Sequence, residues 1–395
     1  MKSMFFGTFL CLCGLLVGLT SVTAADIDSA LAKVRAVSAK GGGHPEAVSA
    51  LKDLKETSTK DLMKILAAMD GSNLVACNWL RSVAEAAVER GAAQGQAMPV
   101  KELESFLVEP SHSPFGRRFA YELVASVDPS AEARLIPGCI NDESIELRRD
   151  AVSLLLKSAE AAEKAGDNNE AVRIQMEAYT AARLPDQVKS IAEKLTKLGK
   201  PVDIAQHFGL IQNWQIIGPF DHTDSKHFDT AYPPEKEIDL LAKVAGKKGE
   251  VAWTPLITKK PDGVVDLNEV LGKEKFAIAY ALNEFVSDKD QDVEIRYGSI
   301  NGSKVWVNGE LVSANEVYHA SQEIDQYRGK AKLKKGKNQI LVKICQNDQK
   351  EQWAQDWTFL LRVCDRLGTA VLSTDRPAVK IETPPPAPVP GAPAK

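Results

Sequence analysis

The chain is poor in the residues that announce chemistry. Its 395 residues include six cysteines and six histidines. The four cysteines beyond the N-terminal segment, at positions 77, 139, 345 and 364, are spaced like neither a zinc knuckle nor a CxxC redox pair, and they read as isolated buried thiols. No GxSxG elbow, HExxH motif, P-loop or GxGxxG turn occurs, so the common signatures of serine hydrolases, zinc peptidases and nucleotide-binding folds are missing. The run Gly41-Gly42-Gly43 before His44-Pro45 lies between helical segments and reads as a hinge. An excess of positive charge is also lacking: 49 Lys and Arg stand against 53 Asp and Glu, a formal charge of −4. No broad basic face is expected to neutralise a phosphate backbone, which argues against nucleic acid as a partner.

The longest apolar stretch lies at the start. Lys2 is the sole charge before Asp26, Phe5 to Leu19 are largely apolar, and Val22-Thr23-Ala24-Ala25 supplies small residues before the acid. Residues 1–25 therefore read as a secretory signal peptide, too short for a membrane span. The mature protein is expected to be secreted or to reside in the periplasm or cell envelope. Cys11 and Cys13 each follow a leucine where lipid attachment wants a small residue, so a lipoprotein is not expected.

Between residues 26 and 200 apolar residues recur with helical spacing. Leu80, Val83, Ala84, Ala87 and Val88 form one stripe; Ala120, Leu123, Val124 and Val127 another; Leu147, Ala151, Leu154 and Leu155 a third; Val188, Ile191, Ala192, Leu195 and Leu198 a fourth. Breakers such as Gly91, Pro110, Pro137-Gly138, Gly166 and Pro185 fall between them, giving a string of antiparallel helices. The segment RLIPGCINDESIELRRDAVSLLLKSA from Arg134 resembles a HEAT repeat, and Gly166 to Gly199 has a tetratricopeptide-like look. Such helix pairs bury their apolar faces by stacking on neighbours.

From residue 201 to 375 the helical stripes stop, and β-branched and aromatic residues rise between regular turn signals, as in an all-β sandwich. Expected strands are 213–220, 250–257, 275–286, 292–299, a hairpin over 305–312, a stretch around 330–335, 338–345 and 357–364. The hairpin, VWVNGELV, turns on Asn308-Gly309, a pair that accepts the positive φ angles of a type I′ turn. It is expected to be central in its sheet, with Trp306 in the core. Val293, Ile295 and Tyr297 are expected to face the core, and Glu294 and Arg296 solvent. Cys345 and Cys364 end two strands read as neighbours, although simple antiparallel pairing would hold them too far apart for a disulfide. Residues 376–395 end in ETPPPAPVPGAPAK, an extended polyproline-like tail.

The β region resembles the galactose-binding-like jelly-roll module of β-galactosidases and many secreted glycan-active proteins. The likeness rests on YGSINGSKVWVNGELV (297–312) and LKKGKNQILVKI (333–344). With WQIIGPF before them and KICQNDQKEQWAQDWTFLLRV after, the whole is similar to secreted proteins of planctomycete-type bacteria that join a HEAT-like array to this sandwich. The resemblance implies a multidomain α and β protein, with an N-terminal all-α HEAT-like array and a C-terminal all-β jelly-roll sandwich. It does not imply hydrolysis, because glycosidase relatives carry their catalytic acids on a barrel for which this chain has no segment, and no catalytic residue or cofactor is assigned.

Two polar loops, ASQEIDQYRGK (320–330) and QNDQKEQWAQDW (346–357), carry groups that grip sugars: planar amides and carboxylates for vicinal hydroxyls, and rings for the sugar C–H face. Trp353, Tyr327, Arg328, Gln352 and Asp325 are the candidate glycan contacts. In DHTDSKHFD (221–229), His222, His227 and Asp224 are weak candidates for a transition-metal site, and no metal is assigned. The expected function is a non-catalytic binding or scaffold protein, its sandwich meeting carbohydrate and its helical array meeting protein. A purely structural interaction protein of the cell envelope and a glycan-active or metal-dependent hydrolase are the alternatives.

Overall fold

The computed structural model describes residues 24–376. The expected tail lies outside them apart from its first residue, Arg376, as does the expected signal peptide apart from the two residues that open the first helix. The chain forms two compact units, one of residues up to Gly138 with Asp142–Leu147, the other of Cys139–Asn141 with Arg148 onward.

The first unit is helical. Asn73 caps the helix Leu74–Ala93 by accepting from the amides of Val75 and Ala76, and the stripe Leu80, Val83, Ala84 and Ala87 is buried as its spacing requires. Gly91 is a helix residue and not the break expected of it. A Cβ there would lie 2.6 Å from the Thr59 side chain and 3.0 Å from its amide, so glycine marks a close approach of two segments.

In the second unit the helices Asn168–Ala181, Pro185–Lys197 and Ile204–Phe208 precede the strands. The strands are β1 (Asn213–Asp221), β2 (Lys243–Gly246), β3 (Gly249–Ala252), β4 (Thr254–Ile257), β5 (Val265–Asp266), β6 (Ala277–Ser287), β7 (Gln291–Ser299), β8 (Gly302–Val307), β9 (Glu310–Asn315), β10 (Tyr327–Leu333), β11 (Gly336–Gln346) and β12 (Thr358–Cys364). One sheet runs β4-β1-β6-β11-β8-β9, a second runs β10-β7-β12-β5, and β2 with β3 forms a separate ribbon. Every pairing is antiparallel. This is the expected combination of a helical N-terminal region and an antiparallel β region.

Alternation along the strands builds the core. Val293, Ile295 and Tyr297 of β7 and Phe359 and Leu361 of β12 meet Ile216, Ala281, Val305, Ile340 and Val342 of the larger sheet, with Trp214 and Trp357 among them. The opposite face of β7 is not the wet face its sequence suggests. Arg296 is buried there, and neighbouring β12 carries the helices, whose Ile191, Leu195 and Phe208 pack with Leu360. Helices thus cover part of the outer face of the smaller sheet.

Asn308 and Gly309 have φ of 52° and 83°, as the type I′ reading needs, and Val307 pairs with Glu310. The hairpin is peripheral and not central, since β9 is an edge strand. Trp306 is half-buried on the outer face of the larger sheet, beside Leu341, so the residue expected in the core lies outside the space between the sheets. Cys345 and Cys364 belong to different sheets, because β11 pairs with β6 and β8 whereas β12 pairs with β7 and β5. Both are free and buried, and burial pushes the Cys345 thiol up to about 12 and the Cys364 thiol up to about 11.

Candidate functional site

At one end of the sandwich, the loop between β11 and β12 and the segment before β10 come together. Gln346, the last residue of β11, is buried and donates through Nε2 to the backbone oxygens of Asp356 (3.1 Å) and Ala354 (3.4 Å), while its Oε1 accepts from Asn301 at 3.0 Å. Lys275 donates to the Ala354 carbonyl at 2.5 Å, and the Phe276 amide donates to the Asn347 carbonyl at 2.9 Å. These bonds hold the loop from beneath and leave its tip to solvent. Trp353 is 59% exposed there, and its ring meets that of His319 edge-on with centroids 4.8 Å apart. His319 in turn contacts Asn347 Oδ1 at 3.1 Å. The same end carries four buried polar atoms without a protein partner: Asn301 Oδ1, Ser303 Oγ, Gln322 Nε2 and Trp357 Nε1.

Of the other candidate glycan contacts, Gln352 shares this loop and Tyr327, Arg328 and Asp325 do not. Gln352 is exposed beside Trp353 in the turn Gln352–Ala354. Tyr327 and Arg328 open β10, which β7 separates from β12. Tyr327 is half-buried with its ring 5.3 Å from that of Tyr297, and Arg328 is exposed. Asp325 is a correction to the expected set, because its carboxylate is already engaged. It accepts from Arg362 Nε at 2.6 Å, from Arg362 Nη2 at 2.7 Å and from Arg296 Nη1 at 2.8 Å. Burial raises its proton affinity, yet Arg362 and Arg296 outweigh burial and hold the carboxyl below its usual range.

The weak metal candidates are separately employed. His222 is fully buried with Nε2 2.8 Å from the Tyr318 hydroxyl, Asp224 pairs with Lys226 at 3.1 Å, and His227 lies 3.3 Å from Asp221 and 3.2 Å from Thr230 Oγ1. Among the described residues no three His, Cys, Asp or Glu side chains converge as a metal would need.

A second buried ionic group lies on the outer face of the larger sheet. Lys343 has no exposed surface and donates to the carbonyls of Phe228 (2.8 Å) and Thr230 (2.8 Å) and to Glu235 Oε1 (3.0 Å), which also accepts from the Tyr280 hydroxyl. All three ammonium protons are used, which is the pattern of a structural lysine. Neither this group nor the Asp325 group was anticipated. The available signal was a lone cation inside an apolar strand, as in ILVKIC and TFLLRVC.

The buried imidazoles give the fold an acid limit. Burial holds His222 down at about 4, and burial also takes His207 to about 4 against its contact with the Ala182 carbonyl. An unfolded histidine titrates at about 6.5, so between those values the unfolded chain binds more protons and stability falls as pH falls. Fully buried His222 alone is expected to remove about 2 kcal/mol on going from pH 7 to pH 5. Urea unfolding should show this slope, and His222→Gln should flatten it. Asp325 acts in a separate window, its contribution being complete above the usual carboxylate range and lost as pH falls through its lowered value.

No family model matches the chain, and no curated protein matches it. Solved structures with a partial likeness include an anti-sigma factor domain-containing protein, at 12% identity and a TM-score of 0.25, covering 41% of this chain and 48% of that one. A β-glucosidase from Kluyveromyces marxianus matches at 13% identity and a TM-score of 0.26, over 43% of this chain and 21% of that one. A β-glucuronidase from an uncultured Clostridium matches at 11% identity and a TM-score of 0.21, over 40% and 28%. The chain spans less than half the length of each, and likenesses at these scores assign it neither family nor activity.

Proposed function

We propose that the protein is a secreted or cell-envelope, non-catalytic binding protein. Its sandwich contacts carbohydrate through the Trp353 loop, and its HEAT-like helical region serves as a protein-contact surface. The observation that supports this most is the exposed Trp353 ring, braced edge-on by His319 on a loop whose backbone is tied to buried Gln346 and Lys275. A large ring held in solvent by other groups is a stacking platform for a sugar's C–H face, and a loop ordered beforehand loses little freedom on binding. Gln352, exposed beside the ring, supplies a planar amide for hydroxyl groups. The secreted location rests on the reading of residues 1–25 as a signal peptide.

A shallow site of this type binds in the micromolar to millimolar range, about −8 to −4 kcal/mol. On a glycan array the wild-type protein is expected to retain a defined set of sugars, and Trp353→Ala to weaken them at least tenfold without changing the unfolding midpoint. Absence of binding by the wild type, or equal binding by both proteins, would favour the purely structural reading.

A further inference from the structure

The outer face of β10 carries cations at successive outward positions: Arg328, Lys330 and Lys332 are exposed, whereas Gly329 and Leu333 between and beyond them are buried. Lys334 and Lys335 continue the run into the following turn and are exposed as well. Alternate residues of a strand lie about 6.6 Å apart, so the stripe is a regular row over roughly 20 Å. The row borders a groove of about 670 Å³ that Lys330, Lys332 and Arg366 line together with Asp292, Glu294 and Glu310. Of those acids, Glu294 is paired with Arg296 at 2.7 Å. The groove itself holds as many acids as cations, with Lys330 and Lys332 opposite Glu294 and Asp292 across the strand pair, so the excess of positive charge comes from Arg328, Lys334 and Lys335 along the row.

We infer that this stripe binds an anionic polysaccharide, a chain bearing carboxylate or sulfate groups, laid along β10. The inference rests on the carbohydrate reading above and names the class of glycan. Lysine on an edge strand also guards against pairing with another sheet. Edge protection, however, needs neither cations at every outward position nor a further arginine brought to the same groove by the loop after β12. Repeating charge meets repeating charge only if the ligand is a linear polyanion, and such an interaction weakens with salt.

The test is binding of the full chain to polygalacturonate and to its fully methyl-esterified, uncharged form, by calorimetry at 50 and 300 mM NaCl. Expected are at least tenfold tighter binding of the acid form at low salt, loss of that preference at high salt, and loss of at least tenfold in R328Q/K330Q/K332Q. The triple variant should unfold at the wild-type midpoint and remain monodisperse; if it self-associates, edge protection is the role of the stripe and the inference falls. The inference also falls if the triple variant binds like wild type, or if the esterified polymer binds equally well. Should Trp353→Ala weaken binding of both polymers while the triple variant does not, the carbohydrate reading stands and the anionic one fails. Should the wild type bind neither polymer and no sugar on the array, both fail. Equal binding to anionic phospholipid vesicles or duplex DNA would show charge attraction without a glycan class and would overturn the inference too.

Discussion

Asp325→Ala is expected to lower the unfolding free energy by about 3–5 kcal/mol, the cost of leaving buried Arg362 without a carboxylate while Arg296 keeps only Glu294. Asp325 serves two guanidinium groups at once, and Arg362 also donates to the backbone oxygens of Phe208 (3.1 Å) and Gly368 (3.0 Å). Without the carboxylate, Arg296 and Arg362 would face each other in a space closed by the helix Ile204–Phe208. Backbone adds a second contribution, because Asp325 has φ of 66°, a region that aspartate and asparagine enter more readily than alanine. Asp325→Asn keeps that conformation and two of the geometric contacts while removing the charge. It should therefore recover about 1 kcal/mol of the loss and no more. Denaturant unfolding of the two variants separates charge from backbone. A loss below about 1 kcal/mol for Asp325→Ala would show that the two arginines find other partners.

The second large effect is expected at Glu235. Glu235→Ala leaves the Lys343 ammonium fully buried with two carbonyl acceptors and no counter-charge, and deprives the Tyr280 hydroxyl of its acceptor. The expected destabilisation is about 3–5 kcal/mol. Replacing both partners by apolar residues of similar length, Lys343→Met with Glu235→Met, should return part of that loss, since the desolvated charges are then gone. The return should be incomplete, because the carbonyls of Phe228 and Thr230 and the Tyr280 hydroxyl still lack partners. A double-mutant cycle measures the coupling directly. Additive single and double variants would show that the pair contributes nothing as a pair.

These two clusters also show what could be read along the chain. Helix and strand existence followed from period: the stripe at Leu80 to Ala87 is buried, and strands with clear alternation, such as β7, lie where their patterns put them. The two shortest unexpected strands, β2 and β5, have four and two residues and too few positions to display a period. The misreading of Glu294 and Arg296 as a wet face has a different cause. Alternation reports which residues share a side, and only tertiary packing decides whether that side meets water or another layer. Asp325 looked available for a ligand because its partners, Arg296 and Arg362, are 29 and 37 residues away. Trp353 is the opposite case: it shares a polar loop with Trp357 four residues on, yet the structure buries Trp357 and leaves Trp353 in solvent with His319 as its brace.

Gln346 separates the architecture of the sheet from the character of the loop. Because one buried amide fastens the return of the segment to the strand that launches it, residues 348–353 can be exchanged without asking the sheets to readjust. On the proposed carbohydrate reading, diversification there would alter what is recognised while folding is conserved, much as interchangeable tips are fitted to one handle. A library randomised at those six positions, built on the unaltered scaffold, would exploit that partition.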